Sequence, residues 1–279
     1  MDHLDEAARA IAGADALLIT AGAGMGVDSG LPDFRGPEGF WRAYPPYRER
    51  GLRFEELANP AWFETEPRLA WGFYGHRLGL YRATAPHEGF ALLRRWAAGK
   101  KHGAFVFTSN VDGQFAKAGF DEGRIVECHG TLSWAQCTAS CGVGIFSADS
   151  FEVEVDPRTF LASPPLPTCP SCGALARPNV LMFGDWAWDG ARTRAATARL
   201  DAWLGEARRG RIAIVELGAG TAVPTVRSFG ERIATLPGAR LVRINLREPR
   251  VRPPGIPVAM GALAALRAID ERMAAAKRG

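Results

Sequence analysis

The stretch "ALLITAGAGMGVDSGLPDFRG" (residues 16–36) begins with an apolar run and continues into glycines at positions 22, 24, 26 and 30. The apolar run predicts a buried strand. A glycine-rich turn after such a strand suits a phosphate group, which backbone N–H groups can bind. The Gly-x-Gly-x-x-Gly spacing of dinucleotide sites is incomplete, because Val27 stands at its third glycine position. "PDFRG" is a poor start for a long helix, so we expect a loop there; taken alone, the motif also fits a plain strand and turn.

Composition indicates a globular protein with a sizeable core. The chain has 279 residues, of which 47% are hydrophobic and 23% charged, enough for one large domain or one domain with a module. Its 34 basic and 30 acidic residues are scattered, so we expect no nucleic-acid partner. We see neither a secretion signal nor an apolar run of the roughly 20 residues that cross a bilayer. We therefore expect a cytoplasmic protein without a membrane segment.

Short strands alternate with helices along most of the chain. Such alternation predicts an α/β fold in which a mostly parallel, Rossmann-like sheet has helices on both faces. The strand-like runs are apolar and rich in β-branched residues, and they occupy residues 16–20, 103–110, 124–128, 211–218 and 239–245. Helical patterns occupy residues 2–12, 66–85, 191–209 and 261–279, the last with a cationic end.

Four of the five cysteines form two close pairs. Cys137 and Cys141 are separated by three residues, and Cys169 and Cys172 by two. Four thiolates at this spacing can bind zinc in a closed tetrahedral shell, which leaves no position open for a substrate. An odd number of cysteines without a secretion signal argues against a disulfide framework. We therefore predict a structural zinc site, with four buried free cysteines as the alternative.

Two segments interrupt the alternation of strands and helices. One is rich in proline and aromatic residues, and the other contains the paired cysteines and a proline-rich run. We predict a Rossmann-like domain from residues 1–35, 76–130 and 179–279, a cofactor-binding loop with a helical insertion at 36–75, and a zinc-binding module at 131–178.

Polar side chains follow several of the predicted strands. Asn110 and Asp112 lie in "TSNVDG", His129 in "ECHG" and Asn245 in "INLRE", and "ELGAGTAVPT" (216–225) supplies a second glycine-rich turn. Ligands of open α/β sheets bind at the carboxyl ends of the strands, where these residues are expected to meet. A histidine there is suited to act as a general base near neutral pH. The alternative for His129 is a core histidine with satisfied hydrogen bonds.

These motifs resemble those of the sirtuins, which are NAD-dependent protein lysine deacylases. "GAGMGVDSGLPDFRG" resembles the family's GAG-x-S-x-x-SG-I-PDFR signature, "TSNVDG" resembles TQNIDG, "CHG" resembles LHG, and "RPNVLMFGD" resembles RPxVVxFGE. The resemblance extends over roughly residues 10–265. It implies that NAD is consumed, that an acylated protein or peptide is the substrate, and that nicotinamide and O-acyl-ADP-ribose are products. It also implies a loop, not a long helix, after the first glycine turn.

The resemblance also implies a role for individual residues. His129 would deprotonate a ribose hydroxyl, with Asn110 and Asp112 binding the ribose and the nicotinamide amide. Val180, Phe183 and Gly184 would contact the substrate. The residues that would bind NAD are Gly22, Ala23, Gly24, Met25, Asp33, Phe34, Arg35, Ser109, Asn110, Val111, Asp112, Gly218, Ala219, Gly220, Asn245 and Leu246.

Several positions depart from the family pattern. Gly26 replaces a serine, Ser109 replaces a glutamine, and Ala219 and Gly220 replace a threonine and a serine, so side-chain hydrogen bonds near the cofactor are lost. Weaker NAD binding is one expectation, and a non-catalytic NAD sensor or interaction module is an alternative function. Protein mono-ADP-ribosyl transfer is a second alternative, although it does not need His129.

Tyr74 and Arg77 are relevant to which acyl group the site would accept. They are three residues apart on a predicted helix, which places them on one face. A Tyr-x-x-Arg at this place resembles sirtuins that remove succinyl, malonyl or glutaryl groups, whose carboxylate Arg77 could bind in a bidentate manner. The alternative is a core tyrosine beside a solvated arginine. The sequence leaves open the preferred acyl group, the protein substrate and the oligomeric state.

Overall fold

The computed structural model describes residues 2–33 and 36–276, which form nine strands and eleven α-helices within those ranges. The strands are β1 (Ala16–Ala21), β2 (Ala104–Thr108), β3 (Ile125–Glu127), β4 (Gly130–Cys137), β5 (Ile145–Ser147), β6 (Ala176–Val180), β7 (Ile212–Leu217), β8 (Ala239–Ile244) and β9 (Ile256–Val258). The helices are α1 (His3–Ala12), α2 (Gly36–Ala43), α3 (Pro45–Glu49), α4 (Phe54–Leu57), α5 (Trp62–Thr65), α6 (Pro67–Ala83), α7 (Glu88–Ala98), α8 (Gln114–Lys117), α9 (Ala191–Ala207), α10 (Thr225–Ile233) and α11 (Ala262–Ala276).

The main sheet has six strands in the order β3-β2-β1-β7-β8-β9, and all of its pairs are parallel. The five strands predicted from sequence are all present in it. The chain leaves β1 for β2 on one side and later returns to β7 on the other side. The carboxyl end of β1 is therefore the switch point at which open α/β sheets bind ligands.

Both faces of the main sheet are covered by helices, as predicted. On one face, apolar residues of β1 and β7 pack with α1, α7 and α11, and Ile11, Leu93 and Leu266 are buried there. On the other face, residues of the same strands pack with α9 and α10, through Leu200 and Phe229. Strands buried on both sides explain the nearly continuous apolar runs that the sequence shows.

The remaining elements form a second unit beside the sheet. An antiparallel sheet in the order β5-β4-β6 packs with α6 and the short helices before it. Its core is aromatic: the rings of Phe40, Tyr44, Tyr47 and Phe73 contact one another in stacked, tilted and edge-on pairs. Residues 36–66 of the predicted insertion consist of short helices and loops, and residues 67–75 form the first part of the longer helix α6. The division of the chain into domains at residues 75 and 178 stays a prediction, and helix α6 and strand β6 extend across those positions.

Within the described ranges, none of the helices combines the length and apolarity that a membrane span requires.

Candidate active site

Two glycine-rich turns meet at the carboxyl end of β1. A Cβ on Gly22 would lie 2.8 Å from Ala219 Cα, and a Cβ on Gly218, whose φ is +59°, would lie 2.4 Å from Gly24 Cα. The two backbones can approach this closely only because both positions are glycine. After Gly22 the chain forms two 3-10 turns, at Ala23–Met25 and Val27–Ser29, and no long helix. The absence of a long helix directly after the turn agrees with the prediction, and the loop expected at "PDFRG" lies partly outside the described residues.

A cavity of about 440 Å³ lies beside these turns. It reaches from the carboxyl edge of the main sheet to helix α6 and to the segment that follows β6. Residues predicted to be catalytic, to bind the cofactor and to bind the substrate therefore line one cavity. The sequence-predicted residues that line it are Gly22, Ala23, Asp33, Tyr74, Arg77, Ser109, Asn110, Val111, Asp112, His129, Val180, Phe183, Gly218, Ala219 and Gly220.

Other predicted residues do not line the cavity. Met25 is buried in the core below the first turn, where its carbonyl accepts a hydrogen bond from His87 Nε2 at 2.9 Å. Asn245 is also buried, and its side-chain amide donates to Ala219 O at 2.8 Å, so it shapes the second turn instead of forming the wall. Gly24, Gly184 and the exposed Leu246 are likewise not among the lining residues. Phe34 and Arg35 lie outside the described residues.

Asn110 is held against the first glycine turn. Its Nδ2 donates to Gly22 O at 3.1 Å, and its backbone N–H donates to Thr108 Oγ1 at 3.0 Å. The Thr108 hydroxyl in turn donates to Ala21 O at 2.9 Å. These bonds connect the ends of β1 and β2, so the amide has a fixed position in the cavity before any ligand binds.

Asp112 lies in the same cavity with little solvent around its carboxyl group. Its Oδ1 accepts a hydrogen bond from the backbone N–H of Gln114 at 3.0 Å. Burial raises the pKa of Asp112 to about 6, although this hydrogen bond and the charge of Arg77 favour the ionised form. At neutral pH the site therefore holds a poorly solvated carboxylate that can accept hydrogen bonds from a ligand.

Replacing Asp112 with asparagine is expected to stabilise the protein at alkaline pH. A carboxyl group with a pKa of about 6 in the folded chain and about 4 when unfolded destabilises the native state above pH 6, and the cost disappears as the pH falls towards 4. We expect Asp112→Asn to raise the free energy of unfolding by about 1–3 kcal/mol at pH 8 and by less at pH 5. Urea unfolding at both pH values measures this. Asp201→Asn, at an exposed position of α9, is the control, and a destabilised Asp112→Asn at pH 8 would contradict the result.

His129 follows β3 and faces the same cavity as the amide and the carboxylate. Its Nε2 lies 3.4 Å from Thr225 Oγ1, and its carbonyl accepts a hydrogen bond from Leu181 N at 2.9 Å. Burial lowers the pKa of His129, which keeps the imidazole neutral at physiological pH. A neutral imidazole in a cavity can accept a proton, which is the requirement for a general base.

The far end of the cavity is formed by helix α6. Arg77 Nε and Nη2 donate to the Tyr81 hydroxyl at 3.0 and 2.8 Å, and both residues line the cavity with Tyr74. The Tyr74 hydroxyl is buried, and no hydrogen-bond partner for it occurs among the described residues. Tyr74 and Arg77 thus share a face, as predicted, whereas sequence reasoning missed Tyr81. Its signal was the spacing of four from Arg77, which brings two side chains together on a helix.

The four paired cysteines form a separate cluster outside the cavity. Their Sγ atoms all lie within 4.8 Å of one another. The Sγ–Sγ distance is 3.6 Å between Cys137 and Cys172 and also 3.6 Å between Cys141 and Cys169. Zn–S bonds of about 2.3 Å in a tetrahedron give S–S edges of about 3.8 Å, so the arrangement fits zinc. The predicted grouping of the four cysteines into one metal site is confirmed. None of them lines the cavity, and four thiolates fill a tetrahedral zinc shell, as in a structural site.

The cavity belongs to the class of nucleotide sites that open α/β proteins form at a topological switch point. Comparison with known proteins gives the family: the Sir2 family model matches residues 22–201. The chain belongs to the Sir2 family, the sirtuins, as the motifs predicted.

Individual relatives agree with this assignment. NAD-dependent protein deacylase 1 of Archaeoglobus fulgidus is 37% identical over 180 residues, which cover 63% of each chain. The NAD-dependent protein deacylase of Thermus thermophilus is 32% identical over 248 residues, which cover 88% of this chain and 85% of the relative. The crystal structure of a Sir2 homolog–NAD complex has a TM-score of 0.69 and 27% identity, over 100% of this chain and 94% of the other.

Proposed function

We propose that the protein is an NAD-dependent lysine deacylase that acts on acylated proteins or peptides. The observation that carries the proposal is the presence of Asn110, Asp112 and His129 in one cavity with two glycine turns. The curated relatives bear the same activity in their names. The alternatives weighed on the sequence do not account for His129, since neither ADP-ribosyl transfer nor a cofactor sensor requires a neutral imidazole at this position.

The residues fit NAD as the cofactor. We propose that the turns at Gly22–Met25 and Gly218–Gly220 hold its phosphates and adenosine, with Asn245 and Leu246 shaping the adenosine end. The remaining proposed contacts are Asp33, Phe34, Arg35, Ser109, Asn110, Val111 and Asp112. When bound, NAD supplies a ribose whose bond to nicotinamide can be exchanged for a bond to the acyl oxygen.

The chain's own residues would bind, orient and accept a proton. Asn110 Nδ2 is committed to Gly22 O, so its carbonyl oxygen is the group that can accept a hydrogen bond from the cofactor. Asp112 accepts further hydrogen bonds, which its poor solvation strengthens. His129, being neutral, removes a proton from a ribose hydroxyl. Apolar residues of the cavity wall, among them Leu31, Val111 and Met182, exclude water from the part of the cavity that they line.

A panel of acetyl-, succinyl-, malonyl- and long-chain acyl-lysine peptides tests the proposal. We expect purified protein with NAD to release nicotinamide, free lysine peptide and O-acyl-ADP-ribose in equal amounts, as read by mass spectrometry. ADP-ribose attached to protein would favour the transferase alternative. Retention of NAD without turnover of any peptide would favour the sensor.

We further propose that the preferred acyl groups are acidic, such as succinyl or malonyl. A guanidinium that lines a ligand cavity can bind a carboxylate in a bidentate manner. Arg77 is buried, its position is fixed by Tyr81, and the Tyr74 hydroxyl beside it has a proton to donate. A carboxylate at this point would receive charge-assisted hydrogen bonds from Arg77 and neutral ones from the phenols.

Replacing Arg77 with methionine is expected to lower kcat/KM for desuccinylation at least about 30-fold, since truncating a buried charge partner costs 2 kcal/mol or more. Deacetylation should change only a few-fold, because an acetyl group carries no charge for Arg77 to bind. Steady-state assays with both peptides measure the ratio. Arg208→Met, at an exposed position after α9, is the control, and an equal loss of both activities would refute the acidic-acyl assignment.

A further inference from the structure

Trp186 is 99% exposed, the largest value for a large hydrophobic residue among those the structure describes. Tryptophan is highly buried on average, and the residues that dominate binding interfaces are enriched in tryptophan. Nothing within the described chain packs over this indole, so a contribution to the stability of the fold does not explain its position.

The segment around Trp186 is firmly anchored. The Asp185 carboxylate is fully buried and forms an ion pair with Arg177. On the other side, Gln136 Nε2 donates to Ala187 O at 2.8 Å, and Gln136 Oε1 accepts from Asp189 N at 3.0 Å. The indole is therefore presented by a backbone fixed on both sides. A fixed backbone means that only the side-chain torsions of the indole have to be ordered when a partner binds.

Trp186 lies close along the chain to residues that line the candidate active site. Leu181 and Phe183 line the cavity and are 38% and 44% exposed. Trp186 follows Phe183 by three residues, a distance of at most about 11 Å along the chain. We call Leu181, Phe183 and Trp186 the apolar rim. If an acylated lysine enters the cavity, the polypeptide that carries it must pass across this mouth.

We propose that Trp186 determines substrate specificity by binding an apolar side chain, aromatic or branched aliphatic, that flanks the acylated lysine. This inference rests on the proposed deacylase function. The rim side chains are all apolar, and the carboxylate of the adjacent residue, Asp185, is already paired with Arg177. A polypeptide with an apolar neighbour of the lysine would bury both that side chain and the indole, whereas a charged or small neighbour would leave the indole in water.

The test compares substrates with and without a flanking chain. Phenylalanine is placed in turn at each of the three positions on either side of the acyl-lysine in an otherwise Gly/Ser peptide, and a capped single acyl-lysine serves as the minimal substrate. We expect wild-type protein to favour one phenylalanine position. Trp186→Ala should lower kcat/KM for that peptide about 10-fold, mostly through KM, and Trp186→Phe should retain part of the preference.

Matched controls separate this inference from a structural effect. Trp186→Ala should leave the minimal substrate and the KM for NAD unchanged, as should Val143→Ala, another exposed apolar residue that lies outside the cavity. Three outcomes of Trp186→Ala would overturn the proposal. They are an equal loss of kcat/KM on the minimal substrate, no loss of kcat/KM on any peptide, and a loss confined to peptides with lysine or arginine as the flanking residue. A dimer in sedimentation that Trp186→Ala dissociates would overturn it as well. Absence of all turnover in wild-type protein would instead remove the deacylase function itself.

Discussion

Replacing His129 with asparagine is expected to lower kcat for deacylation by about 10²–10⁴-fold, the usual contribution of a general base. Asparagine fills a similar volume but cannot accept a proton at neutral pH. Binding of NAD should be almost unchanged, because Asn110, Asp112 and both glycine turns remain in place. Single-turnover assays measure the chemical step, and dinucleotide affinity is measured by calorimetry. A variant that keeps more than a tenth of wild-type kcat would remove His129 from the mechanism.

The pH profile of the wild-type protein tests the same residue independently. Burial lowers the pKa of His129, so the neutral form that accepts a proton persists to a lower pH than in an exposed histidine. Activity should therefore rise with pH to a plateau, and the midpoint of this rise, the acid limb, should lie below pH 6.5. Thr225→Val, which removes the hydroxyl 3.4 Å from Nε2, should alter this limb while leaving the fold intact. An acid limb above pH 7 would contradict the assignment.

Much of this site could be predicted from sequence because parallel strands end at one edge. The order of β1, β2, β3 and β7 in the chain does not reveal which strands are neighbours, yet every carboxyl end in a parallel sheet lies on the same side. Asn110, His129 and Gly218 therefore had to meet if the strands were assigned correctly. The five predicted strands were correct for this reason, since each is an apolar run bounded by turn residues.

What escaped prediction depends on contacts between distant segments. Glu216 and Arg243 stand in apolar runs where a charge is unexpected, and the register of β7 with β8 places them opposite each other as a buried ion pair. Arg243 Nη1 also donates to Arg250 O at 2.8 Å, which holds the loop after β8 in place. No pattern within either strand predicts this pairing. The anchoring of Trp186 by Gln136 was missed for the same reason, whereas Tyr81 was missed although its spacing of four from Arg77 is a local signal.

The predicted position of Met25 shows a different limit. A motif places a residue along the chain but does not say whether its side chain or its backbone faces the ligand. Here the 3-10 turn directs the Met25 side chain into the core under β1. Only its neighbours Gly22 and Ala23 reach the cavity wall.

The zinc cluster is coupled to the active site through the antiparallel sheet. Strand β4 begins at Gly130, directly after His129, and ends at Cys137, which is one of the metal ligands. Strand β6 pairs with it and ends at Val180, which lines the cavity. Because both strands join the cluster to the cavity, loss of the metal should disturb cavity residues that are not themselves part of the cluster.

Replacing Cys169 with serine is therefore expected to abolish both stoichiometric zinc binding and most activity. A structural zinc contributes directly to folding free energy, and losing one of four thiolates removes several kcal/mol of it. For a chain of this size we expect Tm to fall by at least about 5 °C, with chelator treatment of wild-type protein giving a similar fall. Zinc content, calorimetry and deacylation are measured together. Cys128→Ala, at the one cysteine outside the cluster, should keep its zinc. If Cys169→Ser retained one zinc per chain and wild-type Tm, the four-thiolate site would be wrong.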